Sequence, residues 1–195
     1  VAIQAAKNID AYNEQRRDID KHMTDEANGI VEKLESQRHR SSIVLYDENW
    51  KKGVIGIVAS RLTEIYFRPT VVLTRDGQFA TGSARSVAGF DVYSAIKSCR
   101  DLLINFGGHT YACGLTIRWE NVPEFCKRFY AYVEDHIEPT QTEATLAVDA
   151  VIDFRDITRR LYHDLKRFAP FGPGNVKPTF CTRNVYDFGT SKVVG

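Results

Sequence analysis

Thr70-Val71-Val72-Leu73-Thr74-Arg75-Asp76-Gly77-Gln78-Phe79-Ala80-Thr81-Gly82-Ser83-Ala84-Arg85-Ser86 is the stretch from which the fold is read. Residues 70–74 are the β-branched apolar run of a buried strand, Asp76-Gly77 is a turn dipeptide, and residues 79–86 read as a further strand. Upstream, residues 42–46 (Ser-Ile-Val-Leu-Tyr) form another buried strand. Val54, Ile57, Val58, Leu62 and Ile65 then fall at helical spacing until Pro69 ends the helix. Downstream, Val92, Ala95, Ile96, Cys99, Leu102 and Leu103 draw the apolar face of a second helix with Asp91 at its N-cap. Gly107-Gly108-His109 reads as a loop and residues 113–117 as a short apolar return. Val122, Phe125, Cys126, Phe129 and Val133 mark a third helix ending near His136. This order predicts a compact α/β domain with a mixed sheet and flanking helices over residues 41–138.

Two segments flank that domain. In residues 1–40 the positions Ile9, Tyr12, Ile19, Met23, Ile30 and Leu34 draw one stripe along a long, highly charged helix with no capping signal, read as a connector continuing something upstream. Residues 139–143 are a polar linker that opens a unit spanning residues 139–195. Strand-like residues 144–152, a helical stretch 157–168, a strand over 179–186 and the start of a next strand at the chain's end make it β-rich. It is too short to bury a β-core, so it is read as partial.

Of the 195 residues 43% are hydrophobic, enough for a sizeable core, and a net charge of +1 argues against coating nucleic acid by bulk electrostatics. The charge is unevenly spread, however. Residues 51–118 hold nine Lys and Arg against four Asp and Glu, whereas both flanks are net acidic. Cys99, Cys113, Cys126 and Cys181 contain no C-x-x-C pair, which offers neither a zinc site nor a disulfide framework and points to a reducing cytoplasm. No apolar run approaches the roughly 18 residues of a membrane span, and the first residues lack the order of a signal peptide, so no membrane partner is expected.

The candidate chemistry gathers in the basic third. Ser83 and Arg85 are two apart on a strand and share a face, where a hydroxyl and a guanidinium can meet one anion, with Ser86 beside them. Adjacent Gly107 and Gly108 permit a turn that aims backbone amides at an anion, and His109 adds a donor; Arg61 adds a second guanidinium from the preceding helix. The histidines at positions 22, 39, 109, 136 and 163 have no metal-ligand spacing, and the carboxylates lie mainly on amphipathic helices, so no metal site is expected in this chain. Walker, Rossmann and Gly-x-Ser-x-Gly patterns are absent.

Taken together, Trp50-Lys51-Lys52-Gly53-Val54-Ile55-Gly56-Ile57-Val58-Ala59-Ser60-Arg61-Leu62, Gly82-Ser83-Ala84-Arg85-Ser86 and Phe106-Gly107-Gly108-His109-x-x-Ala112-x-Gly114 resemble the DHH-associated domain of the RecJ family of single-stranded-DNA-specific exonucleases. Pro170-Phe171-Gly172-x-Gly174-Asn175-x-x-Pro178-x-Phe180 resembles the segment leading into that family's oligonucleotide-binding fold. The resemblance implies a connector helix, a DHH-associated domain and a partial oligonucleotide-binding unit. It also implies a separate DHH domain carrying two Mn²⁺ or Mg²⁺ ions, and single-stranded DNA as the partner. By the same resemblance His109 and Arg85 are catalytic, while Arg61, Ser83, Arg85, Ser86, Gly107, Gly108 and His109 hold phosphates. Lys51 stands where the family commonly has histidine, so that histidine's role does not carry over. Two other readings fit parts of the pattern: a DHH-superfamily phosphoesterase acting on short oligonucleotides, and a non-catalytic single-strand-binding module.

Overall fold

The computed structural model describes residues 2–37 and 40–189. The chain divides into two units, residues 1–144 and 145–195. The first contains α1 (Ala2–Gln37), β1 (Ile43–Asp47), α2 (Ile55–Tyr66), β2 (Thr70–Asp76), β3 (Phe79–Arg85), α3 (Val92–Ser98), β4 (Leu103–His109), β5 (Ala112–Arg118) and α4 (Val122–His136). The strands form one mixed sheet in the order β1-β2-β3-β5-β4, with β1 and β2 parallel and every other pair antiparallel.

Side-chain alternation along the strands divides the interior into two cores. Ile43, Leu45 and Val72 pack with Met23, Ala27 and Val31 of α1 and Val58 and Leu62 of α2. Val44, Val71, Leu73, Ala80, Ala84, Leu115 and Ile117 pack on the opposite face with α3 and α4, where Phe125 and Phe129 are wholly buried. The mixed α/β architecture is therefore the expected one.

Three details differ from the sequence reading. The apolar spacing from Val92 to Leu103 is not one helix: α3 ends at Ser98, Cys99 N donates to Ile96 O, and Arg100–Leu102 make a tight turn that delivers Leu103 into β4. Gly107-Gly108-His109 is not a loop but the end of β4, and the turn that follows is at Thr110 and Tyr111. In α1 the buried positions are Asp20, Met23, Thr24, Ala27 and Val31, whereas Ile9, Tyr12 and Leu34 of the expected stripe are exposed, because α2 covers only the second half of that helix.

The second unit holds α5 (Arg159–Lys166), which Thr158 caps by accepting from Leu161 N, and a short parallel pair, β6 (Ala150–Val151) with β7 (Phe180–Cys181). None of its described residues is buried. The strands expected over 144–152 and 179–186 are thus reduced to two residues each. The strand expected at the chain's end falls on residues 190–195, and the end of the connector on residues 38 and 39, all outside the described residues.

Asp91 caps α3 with both carboxylate oxygens: Oδ1 accepts from Tyr93 N and Ser94 N, and Oδ2 accepts from Ser94 Oγ at 2.7 Å. The Ser94 hydroxyl, with those two amides, holds this carboxyl below its ordinary pKa. A carboxyl depressed in the folded state adds stability above its unfolded pKa, and that contribution is lost as pH falls through the folded value. Asp91→Ala is expected to lower unfolding stability by about 1 kcal/mol at neutral pH. In urea titrations the gap to wild type should narrow as pH drops below about 4; a gap independent of pH would contradict the assignment.

Candidate nucleic-acid interface

The register of β3, β5 and β4 sets three rows on the sheet face that α2 only partly covers. Arg85, Ala112 and His109 form one row, Ser83, Gly114 and Gly107 the next, and Thr81, Thr116 and Asn105 the third. Neighbouring strands lie about 4.8 Å apart, which puts the Arg85 and His109 backbones roughly 10 Å from each other across Ala112. Sequence spacing paired Ser83 with Arg85; the fold adds Gly107 and His109 to their face.

A bulge is responsible for that addition. Leu103 pairs with Ile117, but Asn105 pairs with Thr116, so Ile104 is the extra residue and stands 53% exposed. A one-residue shift flips every side chain beyond it. Phe106 consequently turns to the core, where it meets Tyr93 at 5.6 Å between ring centroids, and Asn105, Gly107 and His109 face outward.

Arg85 is held from several sides. Its Nε donates to Ser60 Oγ (3.1 Å), its Nη1 donates to Ser83 Oγ (2.7 Å) and to Ala84 O (2.8 Å), and Ser60 Oγ donates to Gly56 O (3.1 Å). A Cβ at Gly56 would stand 3.0 Å from Arg85 Nη2 and 3.2 Å from Ser83 Oγ, so any larger residue there would press on this guanidinium and shift it. Burial pushes the Arg85 pKa down, but a guanidinium starts so high that it stays charged. The result is a cation with few hydrogen-bond partners to exchange and a fixed orientation. Ser60 and Gly56 were missed as site residues, although their i, i+4 spacing on a helix puts them on one face.

His109 is exposed at the end of β4, and its Nδ1 accepts from Tyr111 N at 3.3 Å. In the neutral ring this leaves Nε2–H as the donor directed elsewhere. Gly107 and Gly108 do not form an amide-lined turn; they pair with Gly114 and Cys113. Ser86 is not brought into the group as a donor, because its hydroxyl donates to Phe90 O at 2.7 Å and fixes the turn after β3. Arg61 pairs with Asp20 of α1 at 2.7 Å, an aspartate only 4% exposed, and lies roughly 100° around α2 from Ser60. Lys52 pairs with Asp76 at 3.4 Å, and Lys51 is exposed.

Among the described residues, no three His, Cys, Asp or Glu side chains converge as a metal ion would require. No helix among them is long and apolar enough to cross a membrane.

Residues 24–135 match the DHHA1 domain and residues 148–195 the RecJ OB domain. The single-stranded-DNA-specific exonuclease RecJ of Bacillus subtilis is 36% identical over 186 residues, which are 94% of this chain and 23% of that protein. RecJ of Dickeya dadantii is 32% identical over 90% of this chain and 32% of its own length. The chain thus spans about a quarter to a third of these curated relatives. Among solved structures, RecJ from Thermus thermophilus in complex with Mn²⁺ superposes with a TM-score of 0.75 and 28% identity, over 90% of this chain and 25% of that one. An exonuclease RecJ bound to manganese gives 0.58 and 30% identity, over 71% and 34%.

The two glycines of β4 differ in what the backbone asks of them. Gly108 has φ +152°, and a Cβ there would overlap Ala112 O and Cys113 Cα, whereas a Cβ at Gly107 meets nothing within 4 Å. Gly108→Ala is expected to destabilise by about 1–3 kcal/mol. Gly107→Ala should be neutral or stabilising by about 0.4–1 kcal/mol. Chemical unfolding of the two variants checks this, and equal losses would refute the distinction.

Proposed function

Since the chain belongs to the DHHA1 domain family, in the RecJ arrangement with a RecJ OB domain behind it, we propose that it is the substrate-gripping portion of a single-stranded-DNA exonuclease. The observation that carries this reading is the row of Arg85, Ala112 and His109 beside Ser83, a fixed guanidinium and an imidazole on one open sheet face. A phosphodiester backbone laid along that row meets the Arg85 charge, the Ser83 hydroxyl and His109 Nε2–H without a side chain rising between them, because Ala112 and Gly114 are small. Arg85 and His109 then stabilise charge that grows on the phosphate oxygens during hydrolysis, from positions set before substrate arrives. Arg61, paired with Asp20, fastens α1 to α2 instead of joining this row.

The described residues of this chain do not form a ligand set for the divalent ions named with the related structures. In this reading Mn²⁺ or Mg²⁺ is held by a DHH domain outside the chain, and the residues here only bind and orient the strand. The match of residues 148–195 to the RecJ OB domain favours a strand-binding exonuclease over a phosphoesterase of short oligonucleotides.

Fluorescence anisotropy with a labelled single-stranded oligonucleotide tests the grip. Affinity should fall as salt rises, and Arg85→Ala should make the slope of log affinity against log salt shallower by about one. In the complete exonuclease, Arg85→Ala and His109→Ala should each lower turnover about tenfold or more. Near-normal turnover in both would remove them from the site, and robust DNA degradation by this chain alone would refute the division of labour.

A further inference from the structure

Next to the phosphate row lies a groove of about 350 Å³ whose walls include Thr81, Asn105 and Thr116 and whose floor is Gly107 and Gly114. We infer that this groove seats the base of a nucleotide adjoining the phosphate held by Arg85 and His109, with Asn105 reading its edge. The inference rests on the phosphate-binding reading of those two residues.

Three observations carry it. The side chains of Thr81, Asn105 and Thr116 make no hydrogen bond among the described residues, while Ser83 and Arg85 one and two rows away are tied to each other and to α2. Two hydroxyls and an amide, all uncharged, supply donors and acceptors together, which suits a neutral heterocycle and not a second phosphate. The spacing also fits, since each row is two residues along a strand, so the glycine floor lies about 7 Å from the Arg85 row.

The floor is the third observation. Gly107 and Gly114 face each other across β4 and β5, and neither has the positive φ that glycine would relieve. A Cβ at Gly107 meets nothing within 4 Å, and one at Gly114 meets only Gly107 O at 4.0 Å. Glycine weakens a strand, and in a strand it marks places where something approaches the backbone closely. Neither chain geometry nor packing requires these two; a flat ring lying on the sheet does. Asn105 reaches this face only because Ile104 bulges out.

The test compares binding of this chain to two labelled oligonucleotides of equal length, an oligothymidylate and an abasic strand with the same sugar-phosphate backbone. Wild type should prefer the thymidylate. Gly114→Val, a β-favouring residue where the Cβ is free, should lower thymidylate affinity about tenfold, and Asn105→Ala about threefold, as loss of close contact and of one hydrogen bond do. Abasic binding should change little in Asn105→Ala, which stands clear of the phosphate row. Asn105 is exposed, so its variant decides the matter if the valine variant unfolds. If Arg85→Ala weakens both strands while Gly114→Val and Asn105→Ala weaken neither, the groove inference fails alone. If Arg85→Ala also leaves both strands unaffected, the phosphate reading fails with it.

Discussion

The alternation of side chains along β3 is the constraint on which the rest of this molecule depends. Ala80, Gly82 and Ala84 point to one face and are small enough for the α3–α4 core to close on them; a Cβ on Gly82 would come within 2.9 Å of Leu73 Cδ2 and 3.0 Å of Leu115 Cδ2. Thr81, Ser83 and Arg85 point to the other. A sheet strand flanked by partners on both sides has no freedom to rotate, so packing on the first face holds the polar residues on the second. The precision of the candidate site thus originates in the hydrophobic core behind it.

A second link ties the site to the helices. Ser60 steadies Arg85, and the next residue, Arg61, is paired with the buried Asp20 of α1. Two adjacent residues of α2 therefore face two different duties, one toward the open sheet face and one toward the long helix. Removing Arg61 would leave a carboxylate without its partner in a nearly dry position, so any variant there would disturb the docking of α1 on α2.

Much of this was legible in the sequence because it is written in short-range pattern. The β-branched runs at 42–46 and 70–74, the Asp76-Gly77 turn and the helix face from Val122 to Val133 all lie where their spacing places them. Ser83 and Arg85 were paired by period two alone. What escaped depends on contacts far apart in the chain. Gly107-Gly108-His109 has the composition of a turn, and only pairing with residues 112–114 makes it a strand. Leu102 and Leu103 continue a helical rhythm, and only the sheet draws Leu103 away. Arg61 and Asp20 are 41 positions apart, and nothing local announces that a guanidinium read as free for phosphate is already engaged. In the second unit the strand-like stretches have few partners among the described residues, so propensity alone extends pairing by no more than two residues.

The bulge at Ile104 gives this segment an unusual kind of genetic information. Its side chain is exposed, so many different letters would serve at that position. The letter is also dispensable to the register: without it Leu103 opposite Ile117 and Asn105 opposite Thr116 would be consecutive pairs of a regular ladder, with Phe106 still turned to the core and His109 still outward. What the later residues depend on is the pairing of Asn105 with Thr116: a letter lost beyond that pair, unlike one lost at the bulge, would move His109 to the wrong face.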